Sequence, residues 1–340
     1  MARIFITGGT GCIGASTVQQ LLLCENVEQL LVVTRSSNPR ILHLWLGKAL
    51  DRRVELTAAD IGDAEAIQQL LTEFQPTHII HLGALQSPAC DTDPRQGMLV
   101  NVEGTLNLFQ AAARLATPLK RFVFASSAAV YGKRSIYPGA TVPEDVTLAP
   151  PNLYGVWKVA GEHLAALFHE KTGVPVVSLR LNTTYGPGRD QGRTSAPTVA
   201  LKSIALGAHE GRVIPYRMPY GGRENYHYVQ DVGAHFAGAA LLPFNGIANL
   251  NIKGRTIEVS EFLQIASTVA HEMGIGDYCD LGVAEDATAN LFVCDLEDAA
   301  VETTFPGLPR TEIQTGIEES LSIFRQQAAA GSLTLPSSVL

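Results

Sequence analysis

The chain has 340 residues, with 25 Lys and Arg against 33 Asp and Glu, a formal net charge of −8. Apolar residues make up 46% and charged residues 17%, which suits a protein with a sizeable core and excludes a disordered one. The acidic balance, with no basic run to neutralise phosphates in series, excludes a nucleic-acid partner.

In chain order, Arg3–Thr7 reads as a strand, Gly14–Cys24 as a helix and Gln29–Thr34 as a strand. Arg53–Ala58 (strand), Ala64–Phe74 (helix) and the apolar run His78–Leu82 follow. Met98–Ala116 reads as one long amphipathic helix, Arg121–Ala125 as a strand, Tyr154–Thr172 as a helix and Val174–Leu179 as a strand. This alternation, with near-continuous apolar strands, predicts a parallel sheet covered by helices on both faces. After Leu181 Gly, Pro and Arg become dense, and helices recur at Val259–Met273 and Ile313–Arg325.

The expected organisation is a doubly wound parallel α/β (Rossmann) domain over residues 1–181, partly rejoined by chain near 224–255. A smaller C-terminal substrate-binding lobe covers 182–327, and 328–340 reads as a flexible tail. No apolar stretch reaches the ~18 residues of a membrane span, and no secretory h-region precedes the first strand. Cys12, Cys24, Cys90, Cys279 and Cys294 are scattered and odd in number, which reads as free thiols in a reducing, cytoplasmic compartment.

Thr7-Gly8-Gly9-Thr10-Gly11-Cys12-Ile13-Gly14 follows the first strand and opens the first helix. Glycines at 8, 11 and 14 suit a tight turn, close approach of backbone to a pyrophosphate, and close helix packing. The helix start, with Cys12 and Ile13, offers N–H groups and a partial positive charge to phosphates. At the end of the second strand, Val32-Val33-Thr34-Arg35-Ser36-Ser37 contains no carboxylate to hold a ribose 2′-hydroxyl. Arg35 and Ser36 instead suit a 2′-phosphate, so NADP is preferred over NAD, with a solvated loop arginine as the alternative. Asp60, followed by Ile61, is placed either to receive the adenine amino group or to cap the next helix.

Tyr154 and Lys158 lie four apart and share one helix face, downstream of Ser126-Ser127 at a strand end. A tyrosine acting as a base near neutral pH needs its ordinary pKa of ~10 lowered, and a nearby ammonium does this. Ser127 would then hold the substrate oxygen. His78 and His81, three apart in a strand, face opposite ways and cannot share a metal. No other histidine pair has ligand spacing, so no metal is expected.

In these motifs the chain resembles the extended short-chain dehydrogenases/reductases, the NAD-dependent epimerase/dehydratase family. The likeness rests on the glycine turn, Asp60-Ile61, His81-Leu82-Gly83-Ala84, Asn101-Val-Glu-Gly-Thr105 and Ser126 to Gly132. It extends through Tyr154-x-x-x-Lys158, Arg180 to Gly188, Arg223 to Asp231 and Pro309 to Ile317. The resemblance implies that Ser127, Tyr154 and Lys158 form a catalytic triad and that Asn101 and Lys158 touch the ribose side of the cofactor. It also implies cofactor contacts from Leu82, Gly83 and Ala84, and a homodimer built on two helices per subunit.

The departures from the family pattern bear on the substrate. Ala128 and Ala129 stand where a 4,6-dehydratase carries Asp-Glu, and neither can move a proton. Thr183 stands where nucleotide-sugar epimerases usually carry Asn, and Gly282–Asp295 holds no Arg or Lys for a second diphosphate contact. Candidate substrate contacts are Gln86, Ser87, Ser127, Thr183, Arg193, Thr194 and Arg223. The loop Gly186–Thr198 is expected to line the pocket, and Arg223 either binds an anion or pairs with Glu224 or Asp231. The leading reading is an NAD(P)-dependent oxidoreductase acting on a secondary alcohol or ketone of a polar small molecule. An epimerase with retained cofactor is the alternative, and a non-enzymatic dinucleotide sensor or scaffold is the third.

Overall fold

In the computed structural model, which describes residues 1–35, 39–47, 49–290 and 292–336, alternate residues of the apolar runs face opposite sides of one sheet. Ile4, Ile6, Leu30, Val32, Ile80, Val123 and Val177 enter one buried cluster with Val18 and Leu21 of the helix Cys12–Leu22 and Phe236 of Val229–Leu241. Phe5, Leu31, Val33, Ile79, Phe122 and Phe124 enter another on the opposite face. There they meet Ile67 and Leu71 of Ala64–Phe74, Leu108 of Gly104–Ala112 and Phe168 of Leu153–Thr172. Burial on both faces is why these strands read as continuous apolar runs.

The strands are β1 (Ala2–Thr7), β2 (Val27–Thr34), β3 (Val54–Ala58), β4 (His78–His81), β5 (Arg121–Ser127) and β6 (Val176–Leu181), joined by an edge strand Ile247–Asn251. Seven strands pair in the order Ile247–Asn251, β6, β5, β4, β1, β2, β3, and every pairing is parallel. The winding direction reverses between β1 and β4, and the carboxyl ends of strands at such a point form the ligand crevice of doubly wound sheets. At the opposite end of the sheet, Arg121 is buried and donates to the carbonyls of Ala239 (2.6 Å) and Phe244 (2.8 Å). It thereby caps the C-terminal region of Val229–Leu241, where a cation is favoured.

The chain divides into two units. The first comprises Met1–Leu181, Gln230–Lys253 and Leu296–Pro309; the second comprises Asn182–Val229, Gly254–Asp295 and the chain from Arg310 onward. The returning chain therefore includes a second stretch, 296–309, that the sequence pattern did not indicate. The predicted helix Met98–Ala116 is three consecutive pieces: α-helix Pro94–Met98, a π-helical turn Leu99–Glu103 and α-helix Gly104–Ala112. Widened turns of this kind are frequent at functional sites.

In the second unit Arg255–Glu258, Arg223–Tyr228 and Thr183–Tyr185 form a mixed three-stranded sheet. Tyr216–Gly221 and Leu281–Ala289 form a parallel pair. Tyr226 stacks on Phe262 at 4.6 Å, and Tyr185 meets Phe262 edge-on at 5.3 Å. The expected flexible tail is corrected over 328–336. The helix Ile313–Ala329 runs into it, Ala328, Leu333 and Leu335 are buried, and Leu335 packs with Val199 and Ile214.

Phe122 belongs to an aromatic cluster in the first unit's core, its ring centre 4.4 Å from that of Phe109 and 5.8 Å from that of Phe168. Replacing Phe122 by Ala should cost about 3–5 kcal/mol, read from denaturant unfolding of the full chain. A loss below about 1 kcal/mol would mean that this aromatic cluster does not hold the sheet to its helices.

Candidate active site

β1 runs directly into Gly8, whose φ of +70° lies in the left-handed region that favours glycine. A Cβ there would lie 2.9 Å from the Gly83 backbone nitrogen, just past β4, and one on Gly14 would lie 2.3 Å from the Gly8 carbonyl oxygen. Gly11 differs: a Cβ would meet only the Gly8 carbonyl oxygen, at 3.3 Å. The protein's own backbone thus requires glycine at 8 and 14, while the space beside Gly11 stays open to a ligand. Gly11 caps the helix Cys12–Leu22 without a side-chain hydrogen bond, and no acidic residue stands in the first turn. Cys12 and Ile13 begin a helix terminus left electropositive toward that space, so the residues fit a pyrophosphate.

β2 ends at Thr34, whose hydroxyl bonds with that of Thr10 at 2.9 Å. Arg35 follows and is exposed; Ser36 lies outside the described residues. Asp60 does not cap the next helix. Its carboxylate accepts from the Gly62 N–H (2.8 Å) to form a turn, and Asp63 is the cap, accepting from Ala66. Ile61 fills the space over Gly104, where a Cβ would sit 2.7 Å from its side chain.

A directed chain of hydrogen bonds spans the crevice. The Gly83 N–H donates to Thr7 Oγ1 (3.1 Å), and Thr7 pairs with His81 Nδ1 (2.6 Å). His81 Nε2 pairs with Thr105 Oγ1 (2.9 Å), which donates its proton to the Asn101 carbonyl (2.7 Å). Because Thr105 donates onward, His81 must be protonated on Nε2 and accept at Nδ1. Complete burial, reinforced by the Lys158 charge, pushes His81 down to about 3 and keeps it neutral. Asn101, in the π-helical turn, grips the Leu85 backbone through both amide atoms, each at 2.9 Å, and also donates to Cys90 Sγ at 3.4 Å. Its two amide protons are committed, so what it can offer a cofactor is the second lone pair of Oδ1. Leu82, Gly83 and Ala84 are half-buried beyond β4. Gln86 is exposed, and Ser87 donates to Asp91 at 2.7 Å.

The helix Leu153–Thr172 begins at Asn152, whose side chain accepts from Gly155 N–H at 2.9 Å. A Cβ on Gly155 would lie 2.1 Å from the Ala129 carbonyl, so glycine lets this helix start directly against the end of β5. Tyr154 is half-buried, and Lys158, one turn on, is buried. The Lys158 ammonium donates to the Ala125 carbonyl (2.7 Å) and stands 5.6 Å from the Tyr154 ring centre. Burial pushes its pKa down to about 8, with Cys90 and Glu162 opposing, so it remains mostly charged at neutral pH. Ser127 Oγ accepts from the Ala129 N–H (3.1 Å) and has a long 3.5 Å contact to the Leu181 carbonyl.

Beneath this helix lie buried charges outside the candidate residues named above. Glu162 and Arg180, both buried, form a two-pronged ion pair at 2.8 Å, and Ser126 donates to the same carboxylate at 2.5 Å. The signal was available in the spacing Tyr154, Lys158, Glu162, which places all three on one helix face.

Within the second unit, Thr183 is fully buried and donates its hydroxyl to Glu224, which also accepts from Asn290 at 2.7 Å. The Glu224 carboxylate is therefore engaged with Thr183 and Asn290, and Arg223 is exposed at the start of its strand. Arg193 donates to the Asn290 side chain (3.1 Å) and the Pro219 carbonyl (3.2 Å); Thr194 accepts from Arg189 at 2.6 Å. The expected loop Gly186–Thr198 is shorter, because Ala196–Thr198 is the first turn of the helix Ala196–Glu210. Among the described residues no helix is long and apolar enough to cross a membrane, and no His, Cys, Asp and Glu cluster could hold a metal ion.

The chain is similar to known proteins along most of its length. The model of the NAD dependent epimerase/dehydratase family matches residues 4–247. The dTDP-L-rhamnose 4-epimerase of Burkholderia thailandensis is 26% identical, with 93% of each chain covered. The UDP-glucose 4-epimerase of Mycolicibacterium smegmatis is 28% identical over 96% of this chain and 99% of its own. The structure of Thermus thermophilus UDP-glucose 4-epimerase in complex with NAD matches with a TM-score of 0.75 at 25% identity, covering 95% of this chain and 99% of that one.

The neutral His81 gives acid sensitivity a definite sign. Its folded pKa of about 3 lies below the ordinary 6.5, so the unfolded chain binds a proton that the folded chain refuses. His78, lowered to about 4 chiefly by burial, acts in the same direction. The stabilisation is complete above about pH 6.5 and is lost as pH falls toward 3. In His81→Asn, the decline of unfolding free energy between pH 6 and pH 4 should become shallower by about 1 kcal/mol per pH unit. An unchanged slope would refute the neutral assignment.

Proposed function

Because the chain belongs to the NAD dependent epimerase/dehydratase family, we propose that it moves a hydride to or from the carbon of a secondary alcohol or ketone in a polar, sugar-like small molecule. The observation that carries this reading is the buried Lys158 ammonium, held by the Ala125 carbonyl one helical turn from Tyr154. A cation there favours phenolate over phenol, so Tyr154 takes the proton from the substrate hydroxyl and returns it in the reverse direction. Ser127 holds the substrate oxygen, exchanging its long contact with Leu181 for a shorter one. A nicotinamide dinucleotide bound at the glycine turn supplies reversible hydride exchange.

Gly8, Gly11 and Gly14 with Cys12 and Ile13 hold the pyrophosphate. Asp60, Ile61, Leu82, Gly83, Ala84, Asn101 and Lys158 contact the adenosine and ribose parts. NADP is our preferred cofactor over NAD, supported by the exposed Arg35 and the absence of a carboxylate at the end of β2. Gln86 and Ser87 are the first unit's further substrate contacts. Arg193, Thr194 and the exposed Arg223 are those of the second unit, whereas Thr183 shapes its surroundings through Glu224. A homodimer is supported by the exposed Leu153, Val156 and Leu167 on one long helix and by Met98. The free cysteines suit a reducing cytoplasm.

Net dehydrogenase or reductase chemistry is favoured by the commitment of Thr183 to Glu224 and by the lack of Arg or Lys in Gly282–Asp295. Epimerisation with retained cofactor is the second reading, supported by the two full-length relatives that are 4-epimerases. Dehydration is not proposed, because the buried Ala128 and Ala129 cannot move a proton.

Denaturing the purified protein and identifying released nucleotide by mass separates the two readings. Stoichiometric retained dinucleotide supports the epimerase, and a protein that exchanges cofactor freely supports the dehydrogenase. Preference for NADP should be lost in Arg35→Asp; binding of NADP unaffected by that change would remove Arg35 from the site. On an alcohol found by screening, Tyr154→Phe should lower kcat by about 10²–10⁴ with cofactor binding retained. Full activity in that variant would end the proposed mechanism.

A further inference from the structure

We propose that Ser126, Glu162 and Arg180 form a positioning clamp that sets where Lys158 and Ser127 stand relative to Tyr154. The inference rests on the catalytic reading above and adds three residues to it. Ser126 lies between Ala125, whose carbonyl holds the Lys158 ammonium at 2.7 Å, and Ser127, the proposed substrate-orienting hydroxyl. Ser126 itself donates to Glu162 at 2.5 Å, so the strand end that carries both functions is fastened to the helix that carries Tyr154 and Lys158. Glu162 is in turn fixed by two bonds from Arg180 on β6, each 2.8 Å. Arg180 also donates to the Tyr131 hydroxyl and the Glu144 carbonyl, both at 2.8 Å, and Tyr131 donates to Asn251 on the edge strand at 2.8 Å. The clamp therefore locks one helix against three adjacent strands. Its three side chains are buried, so no water competes for these bonds.

The Glu162 charge acts on Lys158 in either case, so the discriminating change is one that keeps the ion pair and loosens its hold on the strand end. A clamp acts through distance. With an effective dielectric of ~20, moving the ammonium from ~5 to ~6 Å from a phenolate changes its pKa by about 0.4 unit.

The titratable groups that influence Lys158 are Glu162 on its own helix, Cys90 and His81. Burial raises the Cys90 thiol and lowers His81, so neither ionises in the neutral range. Burial pushes Tyr131 and Tyr216 up to about 12 and raises Tyr220 and Tyr226, and the difference against Tyr154→Phe removes the signal of every tyrosine but Tyr154.

The test is an ultraviolet difference titration of the full chain, saturated with NADP⁺ or NAD⁺, against Tyr154→Phe. Ser126→Ala keeps the ion pair and removes one hydroxyl; Ser126→Thr restores it. The expected result is a Tyr154 titration raised by about 0.4 unit or more in Ser126→Ala and returned toward wild type in Ser126→Thr. A folded Ser126→Ala protein with lower thermal stability and an unmoved titration would overturn the clamp. If Ser126→Ala does not fold, Ser126→Cys, which keeps the volume and weakens the donor, is read by the same criteria. Lys158→Met separates the two levels. If wild type titrates near the ordinary ~10 and Lys158→Met does not change it, the catalytic reading fails. If only the Ser126 variants leave the titration unmoved, the clamp alone fails.

Discussion

The first unit is organised around the parallel pairing of β1 with β4, the place where the winding of the sheet reverses. There the two strands end together and their backbones approach so closely that a Cβ on Gly8 would strike the Gly83 nitrogen. The contact leaves an opening above the sheet, bounded on one side by an uncapped helix terminus. The Thr7–His81–Thr105–Asn101 relay fastens the far side, carrying the strand ends to the π-helical turn. A neutral imidazole suits this task because it donates at one nitrogen and accepts at the other.

The second constraint is electrostatic. A lysine ammonium is costly to bury, and here burial is compensated by one carbonyl and by the nearby Glu162 carboxylate. Glu162 is itself buried and depends on Arg180, so the charge under the helix is shared among three side chains. Removing Glu162 would leave two buried cations without their carboxylate, a more severe loss than the net contribution of the pair.

The family is named for both epimerases and dehydratases, so the fold alone does not select the reaction. The distinguishing positions are few. Ala128 and Ala129, buried beside Ser127, have no group that could carry a proton. Thr183 binds Glu224 inside the second unit, where a longer amide would need different surroundings.

Much of this was legible in the chain. The apolar runs announced a sheet buried on both faces, and the glycine spacing, the Tyr154–Lys158 interval and Ser127 are local patterns set by backbone geometry within one turn or strand end. Other features were decided by tertiary structure. The edge strand Ile247–Asn251 is polar at Asn249 and Asn251 and joins the sheet only because β6 offers it a parallel partner. The π-helical turn carries Asn101, whose side chain is held by the Leu85 backbone sixteen positions away. Leu333 and Leu335 are fixed by burial that tail composition did not reveal. The Ser126–Glu162–Arg180 clamp joins residues up to 54 positions apart: helical spacing puts Glu162 on the Tyr154–Lys158 face, but nothing local announces Ser126 and Arg180 as its partners. The sequence by itself determined the alternation of strand and helix through the first unit and the residue types at the glycine turn and along the Tyr154–Lys158 face, because these depend on neighbours one turn or one pleat away. Which buried charges and hydroxyls would satisfy one another was decided by tertiary structure, because only packing removes the water that would otherwise compete for them.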